Sequence, residues 1–282
     1  MPLPAPPPAG SPMLPPDTYA GQVVAVTGGG TGLGKAIAAE FGRLGAAVAI
    51  ASRKAEHRDR GVAALTALGA KAIGVELDVR DEGAVAAAFD QIERELGPAD
   101  VLINNAAGNF PSQAVKMSAN AWRSVVDIVL NGTFLCSTEF ARRAIARSAP
   151  GAILNIGATY SWTGGPGTAH SAAAKAGVSN LTQSLAVEWA PKAIRVNCLA
   201  PGLFPHADLP PALLARQNPE VDGKRIPAGR VGQPHELGWA ATYLCSPYAA
   251  YLTGHTLVLD GGNWLRRGLT MPEFVPVDEQ FP

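Results

Sequence analysis

Net charge is what this sequence lacks most plainly. Its 23 Lys and Arg residues balance 23 Asp and Glu residues, so no global field draws nucleic acid or an anionic membrane surface. Any anionic ligand must be held by local groups. Cysteine is scarce as well: Cys136, Cys198 and Cys245 are odd in number, widely spaced and set in apolar runs. That pattern suits reduced core thiols rather than disulfides or a metal site, and it predicts a reducing, cytoplasmic setting. No apolar run is both long enough and free enough of Gly, Pro and charge to span a bilayer. The opening MPLPAPPPAGSPMLPP has no basic n-region and no apolar h-region, so neither a signal nor a transit peptide is expected. Its prolines predict a flexible or extended arm over residues 1–17. The terminal QFP is not a peroxisomal SKL-type address.

What is present is enough apolar residue for one α/β domain, 47% of 282 residues. From Gln22 onward, apolar runs of strand length alternate with longer helical patterns, which predicts a doubly wound parallel sheet with helices on both faces. Strands are expected near Val23–Thr27, Ala47–Ala51, Ala72–Glu76, Val101–Asn104, Ala152–Ile156, Arg195–Cys198 and Thr256–Leu259. Helices are expected near 33–44, 55–68, 82–96, 118–147, 171–190 and 234–246. Seven strands in one sheet make residues 18–282 a single domain. The Pro- and Gly-rich stretch near 202–232 reads as a mobile substrate loop with one short helix.

Thr27–Phe41, TGGGTGLGKAIAAEF, follows the first strand and opens a helix. Its TGxxxGxG spacing, with Gly28, Gly32 and Gly34, allows a tight turn and a close backbone approach to a diphosphate facing a helix N-terminus. At the end of the second strand stand Arg53 and Lys54, where an acid would favour a ribose 2′-OH. Arg53 either grips a 2′-phosphate, which favours NADPH, or is a solvated loop charge. Asp78-Val79 and the NNAAG of Asn104–Gly108 end the third and fourth strands, where open parallel sheets bind ligands.

TGGGTGLG, NNAAG, the lysine of HSAAAKAG, RVNCLAPG and LVLDGG together resemble the short-chain dehydrogenase/reductase family from about Gly21 to Gly262. The resemblance implies a single Rossmann-type domain and a homotetramer. The cofactor contacts it implies are Gly28, Thr31, Gly32, Leu33, Gly34, Arg53, Asp78, Val79, Asn105, Ala106, Lys175, Pro201 and Gly202. Most members of that family carry Tyr-x-x-x-Lys, a Ser thirteen residues before the Tyr, and an Asn on the preceding long helix. Counted from Lys175, those positions hold Ser171, Ala158 and Val129. A serine hydroxyl is too weak an acid to protonate an alkoxide as a phenol does.

Two other donors lie close in sequence, Tyr160 and Asn131. With Ser171 and Lys175 they resemble the 2,4-dienoyl-CoA reductase branch, which has a Tyr fifteen residues before the Lys and an Asn in an IVLNGT context. AAGNF, NAWRSVVDIVLNGTF and RIPAGRVG support the likeness. It implies NADPH as cofactor and an acyl-CoA thioester as substrate, with Tyr160 and Asn131 as oxyanion donors. Lys175 would hold the nicotinamide ribose and Ser171 would position Lys175 or the cofactor. Arg80 would contact the acyl-CoA, or is a surface charge, and Phe110 would wall the acyl site. Asn131 stands two positions beyond the usual Asn, so its role requires a kink in the helix. After Pro201-Gly202 the chain reads LFPHADLPPALLARQ and departs from the branch, which leaves the acyl chain length and the CoA requirement open. Two further readings stand beside this one: a carbonyl reductase or alcohol dehydrogenase using Tyr160 or His170 as its acid, and a non-catalytic cofactor-binding protein.

Overall fold

Strand segments such as VVAVT have no polar face, and both of their faces are covered. The computed structural model describes residues 3–208, 214–215, 218–265, 276 and 279. Seven parallel strands form one sheet: β1 Val23–Thr27, β2 Ala47–Ser52, β3 Ala72–Glu76, β4 Val101–Asn104, β5 Gly151–Ile156, β6 Ile194–Pro201 and β7 Thr256–Leu259. Their order is β3-β2-β1-β4-β5-β6-β7. The order reverses between β1 and β4, and that crevice is where an open parallel sheet takes its ligand.

Helices α1 Gly32–Arg43, α2 Ala55–Thr66 and a late helix Pro234–Cys245 cover one face. Helices α3 Glu82–Glu95, α5 Gly132–Ala146 and α7 Ala169–Trp189 cover the other. Alternate residues of β1 serve the two cores: Val24 and Val26 pack with Ile37, Phe41 and Leu237, while Val23 and Ala25 pack with Phe89, Phe140 and Leu185. Fully burying one such side chain stabilises the fold by about 1.5–3 kcal/mol. Short α4 Ala119–Val126 leads into a π-helical turn, Asp127–Asn131, before α5, and α6 Tyr160–Thr163 is a single turn after β5.

The strand and helix expectations match, with two differences. The long helix expected over 118–147 is broken by the π turn, and Tyr160 opens a short helix rather than lying in a loop. The flexible or extended arm expected over residues 1–17 is described from residue 3 onward. It has no regular element, as its prolines require, yet it is laid along the body. Leu3 N–H donates to Ala228 O at 2.7 Å, Arg230 Nε donates to Pro4 O at 3.1 Å, and His235 Nε2 lies 3.0 Å from Pro7 O. Leu14 is buried in the α1-side core beside the fully buried Tyr19, because an apolar side chain gains more by packing there than the arm gains by fraying. Within the expected substrate loop a short helix, Pro219–Lys224, is present. Residues 209–213 and 216–217 of that loop lie outside those described.

Candidate active site

A cleft of about 610 Å³ opens at the carboxyl ends of β1, β2, β4, β5 and β6. Its floor is the turn from Thr27 into α1. Thr27 Oγ1 accepts the backbone N–H groups of Asn105 and Ala106, each at 3.0 Å, and Asn105 Nδ2 donates to the carbonyls of Thr27 and Gly28 at 3.0 and 3.1 Å. The β4 end is thereby tied to the glycine loop. Glycine is required for this approach: a Cβ would stand 2.9 Å from Asn105 Nδ2 at Gly28, where φ is +66°, and 2.4 Å from it at Gly34. Thr31, Gly32, Leu33 and Gly34 present the α1 N-terminus to the cleft. Bare loop backbone facing a helix N-terminus fits the diphosphate of a dinucleotide.

All the residues expected to touch the cofactor line this one cleft. At the far end from Lys175, Arg53 lies beside Ser52, Lys54 and His57. Arg58 Nη1 fixes this corner by donating to the carbonyls of Ser52 and Arg53 at 2.9 and 3.0 Å. Arg53 Nη1 lies 3.9 Å from Asp78. The Asp78 carboxyl is held below its usual value, first by the side-chain bond from Arg80 and against the opposing effect of burial. Arg80, expected either at the acyl-CoA or as a surface charge, rests on Asp78, with Nε 2.9 Å from Oδ1, and it does not line the cleft.

At the other end stand the groups expected to do chemistry. Tyr160 lines the cleft, and its hydroxyl lies 3.0 Å from Ser171 Oγ. Lys175, one turn further along α7, donates from Nζ to Ile156 O at the end of β5. Burial pushes Lys175 down from 10.5 to about 8, partly opposed by Cys198 beneath it. Beside Gly202, a Cβ would stand 2.5 Å from Asp260 Cβ, so the late LVLDGG run serves to press the end of β7 against Pro201-Gly202. The RVN run is scaffold too: Arg195 donates to the carbonyls of Leu244, Cys245, Ser246 and Leu252.

Asn131 is not brought to this cleft. The kink its role requires is present as the π turn, but Asn131 is exposed and its Nδ2 donates to Asp127 Oδ1 at 2.8 Å. Val129, at the usual Asn position, is buried with Val125, Ala174 and Val178, so that side of the turn is spent on packing against α7. Of the expected pair of donors, Tyr160 is in the cleft lining and Asn131 is not. Phe110 lies outside the cleft lining, half-exposed, with its ring 4.7 Å edge-on from His170. His170, the alternative acid, is fully buried, does not line the cleft, and accepts the Ser171 N–H on Nδ1 at 2.7 Å. That bond fixes the neutral ring as the Nε2–H tautomer. Sequence reasoning missed His57 and His206, both in the lining. For His206 the signal was the departure from the family loop after Gly202. Among the described residues no helix is long and apolar enough to cross a membrane.

A family model described as "Enoyl-(Acyl carrier protein) reductase" matches residues 28–263. A protein of Bacillus subtilis (strain 168), "Probable 2,4-dienoyl-CoA reductase [(2E)-enoyl-CoA-producing]", is 39% identical over 246 residues, covering 86% of this chain and 97% of that protein. The "Peroxisomal 2,4-dienoyl-CoA reductase [(3E)-enoyl-CoA-producing]" of Rattus norvegicus is 40% identical over 255 residues, covering 89% of this chain and 86% of that protein. Among solved structures, a short chain dehydrogenase from Bacillus anthracis superposes with a TM-score of 0.79 at 40% identity, over 88% of this chain and 98% of that one.

Proposed function

Because the chain belongs to the short-chain dehydrogenase/reductase family, we propose that it reduces the conjugated acyl chain of a 2,4-dienoyl-CoA with NADPH, in the degradation of unsaturated fatty acids. The observation that carries this reading is the placement of Tyr160: its phenol stands in the cleft against Ser171, where the chain has no tyrosine four residues before Lys175. Two relatives named for 2,4-dienoyl-CoA support the substrate class. The family binds a nicotinamide cofactor, which supplies the hydride when bound.

The chemistry explains why the usual acid is dispensable. Hydride added at the δ carbon forms a C–H bond, shifts both π pairs toward the thioester, and leaves charge on its oxygen as a dienolate. That oxygen needs a donor aimed at it rather than immediate protonation. Tyr160 supplies the donor, held by Ser171. A proton from water then reaches carbon, at the α position to leave a 3-enoyl product or at the γ position to leave a 2-enoyl product. Lys175 holds the nicotinamide ribose and Arg53 takes the 2′-phosphate. Asn131 steadies the π turn through Asp127. Arg80 would meet the anionic CoA by leaving Asp78, and Phe110 walls the acyl site above His170. The chain works as a homotetramer in a reducing, cytoplasmic compartment.

A substrate panel tests the reading. With NADPH, the protein should turn over 2,4-hexadienoyl-CoA at least about a hundredfold faster than a ketone or aldehyde of equal length. Preference for the carbonyl compounds would instead establish a carbonyl reductase that uses Tyr160 as its acid.

A further inference from the structure

Two indole rings meet outside both cores and outside the cleft lining. Trp162 and Trp264 lie with their centroids 5.4 Å apart and their planes tilted by 34°, and neither packs into a covered face of the sheet or borders the cleft. Trp162 is 46% exposed, so its ring is not there to fill the interior. Its place in the chain suggests another use: it belongs to α6, two residues after Tyr160.

α6 alone is a poor support for a phenol that must be aimed. It is one turn long, Thr159 gives it no side-chain cap, and it runs out at Gly164, where φ is +74° and a Cβ would meet nothing within 4 Å. Such a turn is not stable by itself, because nucleating a helix fixes several residues for one hydrogen bond. Tertiary contacts must hold it. Residues two apart leave a helix about 200° from each other around its axis, so Tyr160 and Trp162 leave α6 on different sides. On one side the Tyr160 hydroxyl meets Ser171 of α7 at 3.0 Å, and on the other Trp162 meets Trp264.

Trp264 is itself anchored. It stands in a 3₁₀ turn, Asn263–Leu265, after β7, and its N–H donates to Asp260 Oδ2 at 2.7 Å while the Gly262 N–H donates to Oδ1 at 2.9 Å. Gly261 and Gly262 take φ values of +65° and +80°, a left-handed pair that lets the chain fold back over the carboxylate. Gly261 O accepts the Ala228 N–H at 3.1 Å, and Asp260 packs against Gly202 at the end of β6. A fixed ring therefore reaches the far side of the turn that carries the phenol.

We propose that Trp264 is a positioning residue for the oxyanion donor: through Trp162 it clamps α6, so that Tyr160 stays aimed into the cleft. This rests on the reading of Tyr160 as that donor. The contact acts on aim alone, since neither indole touches the cleft. An oxyanion donor matters most in the transition state, so loosening it lowers kcat and leaves KM in place.

The test measures kcat and KM for 2,4-hexadienoyl-CoA with NADPH in the parent, Trp264→Ala, Trp264→Phe, Trp162→Ala, Tyr160→Phe and the double variant of Tyr160→Phe with Trp264→Ala. Trp264→Ala and Trp162→Ala should each lower kcat about tenfold at an unchanged KM, the scale of a small misplacement of a catalytic group. Trp264→Phe, which keeps an aromatic ring against Trp162, should return kcat to within about threefold of the parent. Once the phenol hydroxyl is gone its aim no longer matters, so Trp264→Ala should cost less than about twofold more in the Tyr160→Phe background. A full further tenfold loss there, or an effect on KM alone, would overturn the positioning role. Parent-like kcat in both single alanine variants, with Tyr160→Phe slow, would overturn the clamp and leave the donor reading standing. Equal rates in the parent and Tyr160→Phe would overturn the donor reading, and the clamp with it. If Trp264→Ala does not fold, Trp162→Ala, made at a half-exposed ring, breaks the same contact, and its kcat alone and beside Tyr160→Phe decides the matter.

Discussion

The Tyr160 hydroxyl lies 3.0 Å from Ser171 Oγ, and Ser171 is fixed in the first turn of α7, one turn before Lys175. The phenol enters the site from a separate short helix and is held there by the residue standing where a catalytic tyrosine would usually be. Ser171 is 2% exposed, so its hydroxyl is committed to this contact. Ser171→Ala should lower turnover of the dienoyl thioester by about fivefold, the value of one neutral hydrogen bond, with little change in KM. Steady-state kinetics check this, and an effect on KM alone would place Ser171 outside the donor's support.

Burial drops Lys175 from 10.5 to about 8, which gives its ammonium a pH limit within reach of assay. The kcat/KM for the dinucleotide, which reports the free enzyme, should fall above about pH 8, and Lys175→Arg should push that limb upward. Stability has the opposite slope. Between about 8 and 10.5 the unfolded chain holds the proton that the folded chain has lost, so this group makes the fold more stable as pH rises through that window. A kcat/KM profile that is flat to pH 10 would contradict the assignment of Lys175.

Arg53 stands in the cleft at the end of β2 with no acid at its own position, and its nearest carboxylate, Asp78, is 3.9 Å away and already bonded to Arg80. Arg53→Ala should reduce kcat/KM for NADPH by about ten- to a hundredfold and leave NADH nearly unchanged. Comparison of the two cofactors in one assay decides it. Equal losses would show that Arg53 holds the strand end rather than a 2′-phosphate.

Gly34 leaves no room for a methyl group, since a Cβ would meet both Asn105 Nδ2 and Gly28 O at 2.4 Å. Gly34→Ala should cost about 1–3 kcal/mol of stability by overpacking and break the tie between the glycine loop and the β4 end. Thermal unfolding and dinucleotide titration should both register it. A variant with the parent's melting temperature and affinity would mean that the loop can move away from Asn105.

The sheet was legible because each strand is a short apolar run bounded by turn residues, and the helices because their apolar faces must cover both sides of it. β1, β3, β4 and β7 have the expected bounds, and β2, β5 and β6 run longer than expected. The cofactor end was legible because diphosphate binding demands glycine at fixed spacing, and the expected residues do line one cleft. The π turn was not. Nothing in DIVLN marks it, and it is held by tertiary packing: Leu130 fits against Gly177 of α7, where a Cβ would stand 2.9 Å from Leu130 Cδ2. A shift of two positions in sequence therefore gave no direction for Asn131, whose amide goes to Asp127. The docked arm was hidden for a different reason. Proline forbids regular structure but says nothing of where the chain lies, which is set by the contacts of Leu3, Pro4 and Pro7 with Ala228, Arg230 and His235 and by the burial of Leu14 and Tyr19. The contact of Trp162 with Trp264 escaped notice because the two rings lie about 100 residues apart in the chain, and no local pattern records such pairs.

Turnover of 2,4-hexadienoyl-CoA with NADPH by the parent and by Tyr160→Phe tests most directly whether one phenol carries the oxyanion. Loss of absorbance should be rapid in the parent and about 10²–10³-fold slower in Tyr160→Phe, with NADPH affinity unchanged. Equal rates in the two proteins would contradict the account.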